Sequence, residues 1–219
     1  AIRPLISSDR SRAGEMAASA IDQRSTGGLP VPATIMAGRL LLDLGDTARA
    51  RSLADSLGQR DLPIERRFAA ASLARDAGLP EVGLRILERR PEDSTVNPAP
   101  LPPEVQLLRV DLLLDLRRPS QAREALMAID AERATSSDDR ALLDARLHVL
   151  EGDIAGARTR LEELMSHPVW STTVRRSAMT MLSNIYRQAG DTRRADALTT
   201  ALSRERCEQE AQTPSADHN

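Results

Sequence analysis

The helical pattern of this chain breaks five times, at intervals of 33 to 39 residues, and this regular interruption constrains the fold more than any other feature. On either side of each break, large apolar residues recur with the spacing of one helix face. Glycine stands at four of the breaks, where it can end a helix in the left-handed conformation. The pattern predicts a series of helical hairpins with breaks at Gly45, Gly78, Arg117, Gly152 and Gly190.

Small residues recur at fixed distances from the breaks, which predicts that the two helices of each hairpin approach closely. The residue seven before each break is usually small, and so is the residue five after it. Agreement at both offsets in distant segments is the signal of a repeat protein. These positions are Gly38, Ala71, Val110, Ala145 and Ser183 before the breaks, and Ala50, Gly83, Ala122, Ala157 and Ala195 after them.

The breaks divide the chain into three parts. We predict an N-terminal segment, 1–30, whose helix is half of a preceding repeat in a longer protein, then a solenoid of hairpins over 31–209 and a disordered polar tail over 210–219. The proline-rich linker 91–103 is either a longer loop between repeats or a docking loop for a partner. At the third break, Pro119 or Ser120 is expected to start the second helix in place of a glycine turn.

Composition narrows the classes of function. The 30 basic residues are all Arg, and the net charge of −2 argues against a general nucleic-acid-binding surface. No apolar run approaches the roughly 20 residues of a membrane span. No phosphate-binding loop and no His–Cys metal spacing is present, so we expect no cofactor, no metal and no catalytic residue. His148 falls on a packing position, and the single Cys207 rules out an internal disulfide.

The repeated unit resembles the tetratricopeptide repeat (TPR) family, whose helix–turn–helix unit recurs about every 34 residues. The resemblance covers roughly residues 31–205 and implies an all-α fold, a right-handed α–α superhelix of about five hairpins plus an N-terminal helix. The family's tyrosine survives only as Tyr186. The family's aromatic residue near the start of the first helix is replaced by Thr34, Arg67, Leu108 or Met179.

The resemblance also implies a binding surface. In the family, extended peptides or short helices bind the concave surface that is lined by first helices, and here the residues six and three before each break are expected to face it. Arginine there can pair with carboxylates of a partner protein. The alternative is a solvated face with incidental Arg–Asp pairs. The predicted partner-binding residues are Arg39, Ser72, Arg75, Asp111, Arg146, Asn184 and Arg187.

These observations favour a protein–protein interaction scaffold, a TPR-like segment of a larger bacterial protein that acts in assembly or secretion. One alternative is a periplasmic scaffold of an exopolysaccharide export machine that recruits polymer-modifying enzymes or guides the polymer. Another is a peptide-sensing domain of a regulator. An enzyme is the least expected class. The partner is expected to be a protein or peptide, not a nucleic acid or a membrane, and the periplasm is favoured over the cytoplasm.

Overall fold

The computed structural model describes residues 29–89, 101–129, 137–166 and 171–212, and every regular element in these ranges is an α-helix. The chain forms two compact units, of which the first ends at Arg118 and the second begins at Pro119. The helices of the first unit are α1 (Val31–Asp43), α2 (Thr47–Gly58), α3 (Ile64–Asp76), α4 (Pro80–Glu88) and α5 (Pro103–Asp115). Those of the second unit are α6 (Pro119–Met127), α7 (Ser137–Glu151), α8 (Ile154–Ser166), α9 (Thr172–Gln188) and α10 (Thr192–Gln212).

All five predicted breaks are turns in which one residue has a left-handed backbone. At the first, the N–H of Gly45 donates to the carbonyl of Leu42 (3.0 Å) and the N–H of Asp46 donates to that of Leu41 (2.8 Å). Such paired bonds satisfy carbonyls that the end of a helix leaves free. The φ angles are 80° at Gly45, 75° at Gly78, 54° at Arg117, 84° at Gly152 and 79° at Gly190.

The third turn corrects the prediction made for it. The second helix does begin at Pro119, but the left-handed turn is kept, with Arg117 in the place of glycine. The N–H of Arg117 donates to Leu114 (3.0 Å) and that of Arg118 donates to Leu113 (2.9 Å), as in the other turns. A side chain in this conformation costs roughly 1–2 kcal/mol. The turn geometry therefore persists at an energetic cost.

Aspartate caps the second helix in three hairpins, directly after the glycine. Each carboxylate accepts a hydrogen bond from the backbone N–H three residues further on, which satisfies a donor that the helix cannot. The pairs are Asp46 with Arg49 (3.1 Å), Asp153 with Gly156 (2.9 Å) and Asp191 with Arg194 (3.1 Å). The helix α4 instead starts with Pro80, whose missing N–H is not needed at that position.

The predicted small residues lie at helix contacts. The alanines five after the breaks, Ala50, Ala122, Ala157 and Ala195, are 0% exposed. A Cβ added to Gly38 would lie 2.6 Å from Cδ2 of Leu73. Larger side chains at these positions would therefore force the helices apart.

The first unit consists of two layers of helices. The first helices of its hairpins, α1, α3 and α5, pack side by side, and the second helices α2 and α4 pack against each other. Leu57, Leu73 and Leu112 are each 0% exposed between these layers. The layering leaves the opposite side of the first helices open to solvent.

The second unit contains the hairpins α7–α8 and α9–α10, and its core includes Leu161, Ala178 and Tyr186. The Tyr186 hydroxyl donates a 2.6 Å hydrogen bond to Glu162, and the Arg194 guanidinium lies 5.5 Å from the ring centroid. Burial and the bond to Glu162 raise the pKa of the Tyr186 hydroxyl. Tyr186 on α9 is thus hydrogen-bonded to α8 of the preceding hairpin.

Three predicted features fall partly or wholly outside the described residues: the helix of the N-terminal segment, the linker up to residue 100 and the tail from residue 213. The helix α10 continues to Gln212, past residue 209, where we predicted that the solenoid would end. Among the helices of the described ranges, none combines the length and the apolar character needed to span a bilayer.

Candidate functional site

In each of the two units the first helices expose a stripe of side chains, which we call the first-helix face of that unit. On α1 the exposed residues are Pro32, Met36, Arg39 and Asp43, at the spacing of a single helix face. The corresponding residues of α3 and α5 in the first unit are Phe68, Ser72, Arg75, Asp76, Asp111 and Asp115. In the second unit, the stripe consists of Arg146 and Val149 on α7, and Asn184, Arg187 and Gln188 on α9.

Arg75 connects two neighbouring first helices. Its Nη1 lies 2.6 Å from Asp111 and its Nε lies 2.9 Å from Asp115, so a guanidinium on α3 binds two carboxylates on α5. Burial lowers the pKa of Arg75, but the two carboxylates raise it more, and the net shift is upward. Arg75 and Asp111 were both predicted for this face, and the structure brings them together. The charge of Arg75 is therefore already paired within the protein.

The other residues predicted on the first unit's face are exposed or half-buried. Arg39 is exposed and has no side-chain hydrogen bond or ion pair within the described part of the chain, and Ser72 is half-buried. Asp43, Asp76 and Asp115 occupy the same place on their helices, two residues before each turn, and all three are exposed. Carboxylates thus line the turn end of this face.

Two exposed apolar side chains on the same face were not predicted as site residues. Met36 is 72% exposed and Phe68 is 41% exposed. They lie nine and ten residues before their turns, about one helical turn from Arg39 and Ser72. An extension of the same periodic argument by one turn would have identified them.

The second unit presents a different set of groups. Asn184 and Arg187 are exposed on α9, where Nη1 of Arg187 donates to Oδ1 of Asn184 at 3.5 Å. Arg146 is half-buried on α7, and the neighbouring Val149 is 37% exposed. This part of the face combines arginine, an amide and an aliphatic side chain.

His148 occupies the predicted structural position. Its Nδ1 lies 2.9 Å from Oδ2 of Asp153, the residue that caps α8. The Gly156 N–H and then His148 lower the pKa of the Asp153 carboxyl. Across the described ranges, no group of three or more His, Cys, Asp or Glu side chains is arranged to hold a metal ion.

Two solved structures resemble the chain. A tetratricopeptide repeat protein from Parabacteroides merdae superimposes with a TM-score of 0.59 at 19% identity, over 92% of this chain and 75% of that one. The chain has the TPR fold. BtubC from P. vanneervenii gives a TM-score of 0.52 at 18% identity, over 97% and 94% of the two chains. No protein-family model matches the sequence, and no curated protein matches it either.

The TPR fold is kept here without the family's aromatic residue near the start of the first helix. The four replacements are buried: Thr34 at 1%, Arg67 at 8%, Leu108 at 8% and Met179 at 1% exposure. At Arg67 a charged side chain fills the position, with Nε donating to the Leu62 carbonyl at 2.9 Å and Nη1 to the Arg89 carbonyl. The residue at this position is therefore buried in each of the four first helices where the aromatic residue is replaced.

Proposed function

We propose that this chain is a protein–protein interaction scaffold, in which the first-helix face of each unit binds a peptide or protein partner. The observation that carries the proposal is the exposure of Met36 and Phe68 beside the charged residues of that face. Apolar side chains rimmed by polar groups are typical of protein-binding surfaces. An apolar anchor with charged neighbours provides both affinity and orientation.

In the second unit we propose that Arg146 and Arg187 bind carboxylates of the partner, with Asn184 beside them as a hydrogen-bonding group. A guanidinium can donate two parallel hydrogen bonds to one carboxylate. In the first unit, Arg39 is the candidate cation, because Arg75 is already bound to Asp111 and Asp115. We propose that Ser72, Arg75 and Asp111 act there as a fixed polar wall beside Phe68.

The experiment is a pull-down with the full chain from a lysate of the source cells, followed by identification of the captured protein. Two face variants are compared with the wild type: Met36→Ser with Phe68→Ser, and Arg146→Glu with Arg187→Glu. The matched control is Arg193→Glu with Arg204→Glu, which changes the same charge on exposed residues of the second helix α10. Helical circular dichroism of each variant shows whether it is folded.

Each face variant should lose a captured protein that the control variant retains. The proposal is wrong if that protein stays bound to folded face variants, or if the control loses it equally. Reduced capture by only one face variant would assign partner binding to the face of that unit alone.

For the setting, we propose assembly or secretion in a bacterial cell. Within an exopolysaccharide export machine in the periplasm, the same face would recruit an enzyme that modifies the polymer. Within a regulator, it would bind a signal peptide. The protein identified by the pull-down distinguishes among these settings, because each one requires a different class of partner.

A further inference from the structure

A groove of about 440 Å³ runs along α4, on a second helix of the first unit and apart from the first-helix face. Its volume lies within the roughly 300–1,000 Å³ of ligand-binding pockets. Leu84 from α4 and Leu116 from the turn after α5 provide its apolar lining. The groove therefore combines two structural elements that are 32 residues apart in the sequence.

The charged lining follows from the helical periodicity of α4. Residues 81, 84, 85, 88 and 89 lie at the spacing of one helix face, so Arg85 and Arg89 flank the apolar Leu84. Arg118 also lines the groove, one residue after the left-handed Arg117. Three arginines thus surround two leucines.

The carboxylates of the groove do not neutralise these arginines. Glu88 is bound by Arg109, whose Nη2 and Nε donate to it at 3.0 and 3.1 Å. Arg89 donates through Nη1 to the Arg60 carbonyl at 3.1 Å. In the part of the chain that the structure describes, Arg85 and Arg118 have no side-chain hydrogen bond or ion pair.

The net charge of the groove is positive. Its lining contains the three guanidinium groups of Arg85, Arg89 and Arg118 against the two carboxylates of Glu81 and Glu88, a net charge of +1. Arg109, which does not line the groove, also binds Glu88. Arg85 and Arg118 are exposed at its edge, and Leu84 is 5% exposed. The groove therefore presents two guanidinium groups that can bind a ligand, beside the apolar surface of its two leucines.

We propose that this groove binds an acidic peptide segment of a partner protein, with its carboxylates on Arg85 and Arg118 and an aliphatic side chain on Leu84 and Leu116. Planar guanidinium groups bind carboxylates through two parallel hydrogen bonds. Arg85 and Arg118, which have no side-chain partner in the described part of the chain, complement two acidic side chains. The apolar lining selects a peptide that also carries a Leu, Ile or Val side chain. This site is independent of the first-helix face, because it is built on α4.

The test begins with selection from a displayed library of random dodecapeptides on the full wild-type chain. The enriched peptides should contain Asp or Glu close to Leu, Ile or Val. The strongest peptide is then measured by fluorescence anisotropy against Arg85→Glu with Arg118→Glu, and against the milder Arg85→Gln with Arg118→Gln. The matched control is Arg193→Glu with Arg204→Glu on α10.

The charge reversal should weaken binding by about tenfold or more, the neutral variant should weaken it less, and the control should leave it unchanged. The Arg146→Glu with Arg187→Glu variant should also bind normally, which separates this groove from the first-helix face. The proposal is overturned if no acidic and aliphatic peptide is enriched. It is equally overturned if the enriched peptides bind folded variants of Arg85 and Arg118 as tightly as the wild type.

Discussion

Replacement of Arg67 by Met should lower the free energy of unfolding by about 2–4 kcal/mol. Arg67 is 8% exposed, and its guanidinium donates to the carbonyls of Leu62 and Arg89, 5 and 22 residues away in the sequence. Met fills a similar volume but donates no hydrogen bond. The two carbonyls then lose charge-assisted hydrogen bonds, each contributing roughly 1.5–3 kcal/mol. Met also removes the cost of burying a charged group, and this gain offsets part of the loss.

The assay is urea denaturation followed by circular dichroism, together with hydrogen exchange of the backbone amides. Exchange should accelerate in the loop around Leu62 and at the end of α4, because Arg67 joins those two segments. Arg66→Met is the matched control, since Arg66 is exposed and should change stability by about 0.5 kcal/mol or less. A loss for Arg67→Met as small as that of the control would refute the reasoning.

Three further changes have expected outcomes. The pKa of the single tyrosine, Tyr186, followed by absorbance, should lie above the usual value of a tyrosine hydroxyl, and Glu162→Gln should move it down. The contribution of this group to stability is complete below its unfolded-state pKa and is lost as pH rises through its folded-state pKa. Arg117→Gly should raise the free energy of unfolding by about 0.5–1 kcal/mol, because glycine adopts the left-handed turn without strain. Ala157→Leu should lower it by about 1–3 kcal/mol in urea denaturation, because this fully buried residue separates two packed helices.

Each of these outcomes has a matched control. Arg118→Gly lies one residue beyond the left-handed position and should not stabilise the protein. Ala155→Leu places the same side chain on an exposed position of α8 and should change stability little. Equal effects of Arg117→Gly and Arg118→Gly would contradict the strain argument, and equal effects of the two alanine variants would contradict the packing argument. A Tyr186 midpoint that Glu162→Gln leaves in place would exclude the carboxylate as a cause of the shift.

The positions of the turns were predictable because local sequence determines them. Gly45, Gly152 and Gly190 carry both the left-handed conformation and the aspartate that follows it, so two adjacent residues specify each turn. The left-handed conformation of Arg117 was harder to predict, since its flanking residues give no sign of a positive φ. There the contacts of the surrounding helices outweigh the local preference.

The site was predictable only to the level of a helix face. Periodicity placed Arg75 and Asp111 on that face, but their 2.6 Å contact depends on how α3 and α5 are aligned. That alignment follows from packing across a linker and not from a local pattern. The exposure of Met36 and Phe68 likewise depends on what neighbouring helices leave uncovered.

The arginines of this chain also have structural roles that composition does not reveal. Several guanidinium groups bind backbone carbonyls far away in the sequence, including Arg51 on Ala77 (2.8 Å) and Arg60 on Leu29 (2.7 Å). These contacts close the ends of helices and loops between repeats. Sequence periodicity cannot identify them, because the partner is a backbone atom that every residue has.

Arg67→Lys tests whether the shape of the guanidinium matters in these contacts, since the charge is kept. Arg67 reaches the Leu62 and Arg89 carbonyls from two different nitrogens, Nε and Nη1. Lysine has a single nitrogen at the end of its chain and no donor at the place of Nε. It should keep one bond at most and lose about 1–2 kcal/mol, between the wild type and Arg67→Met, in the same urea measurement. If Arg67→Lys is as stable as the wild type, a positive charge at this position is enough to stabilise the fold. The absence of lysine there then has no structural cause.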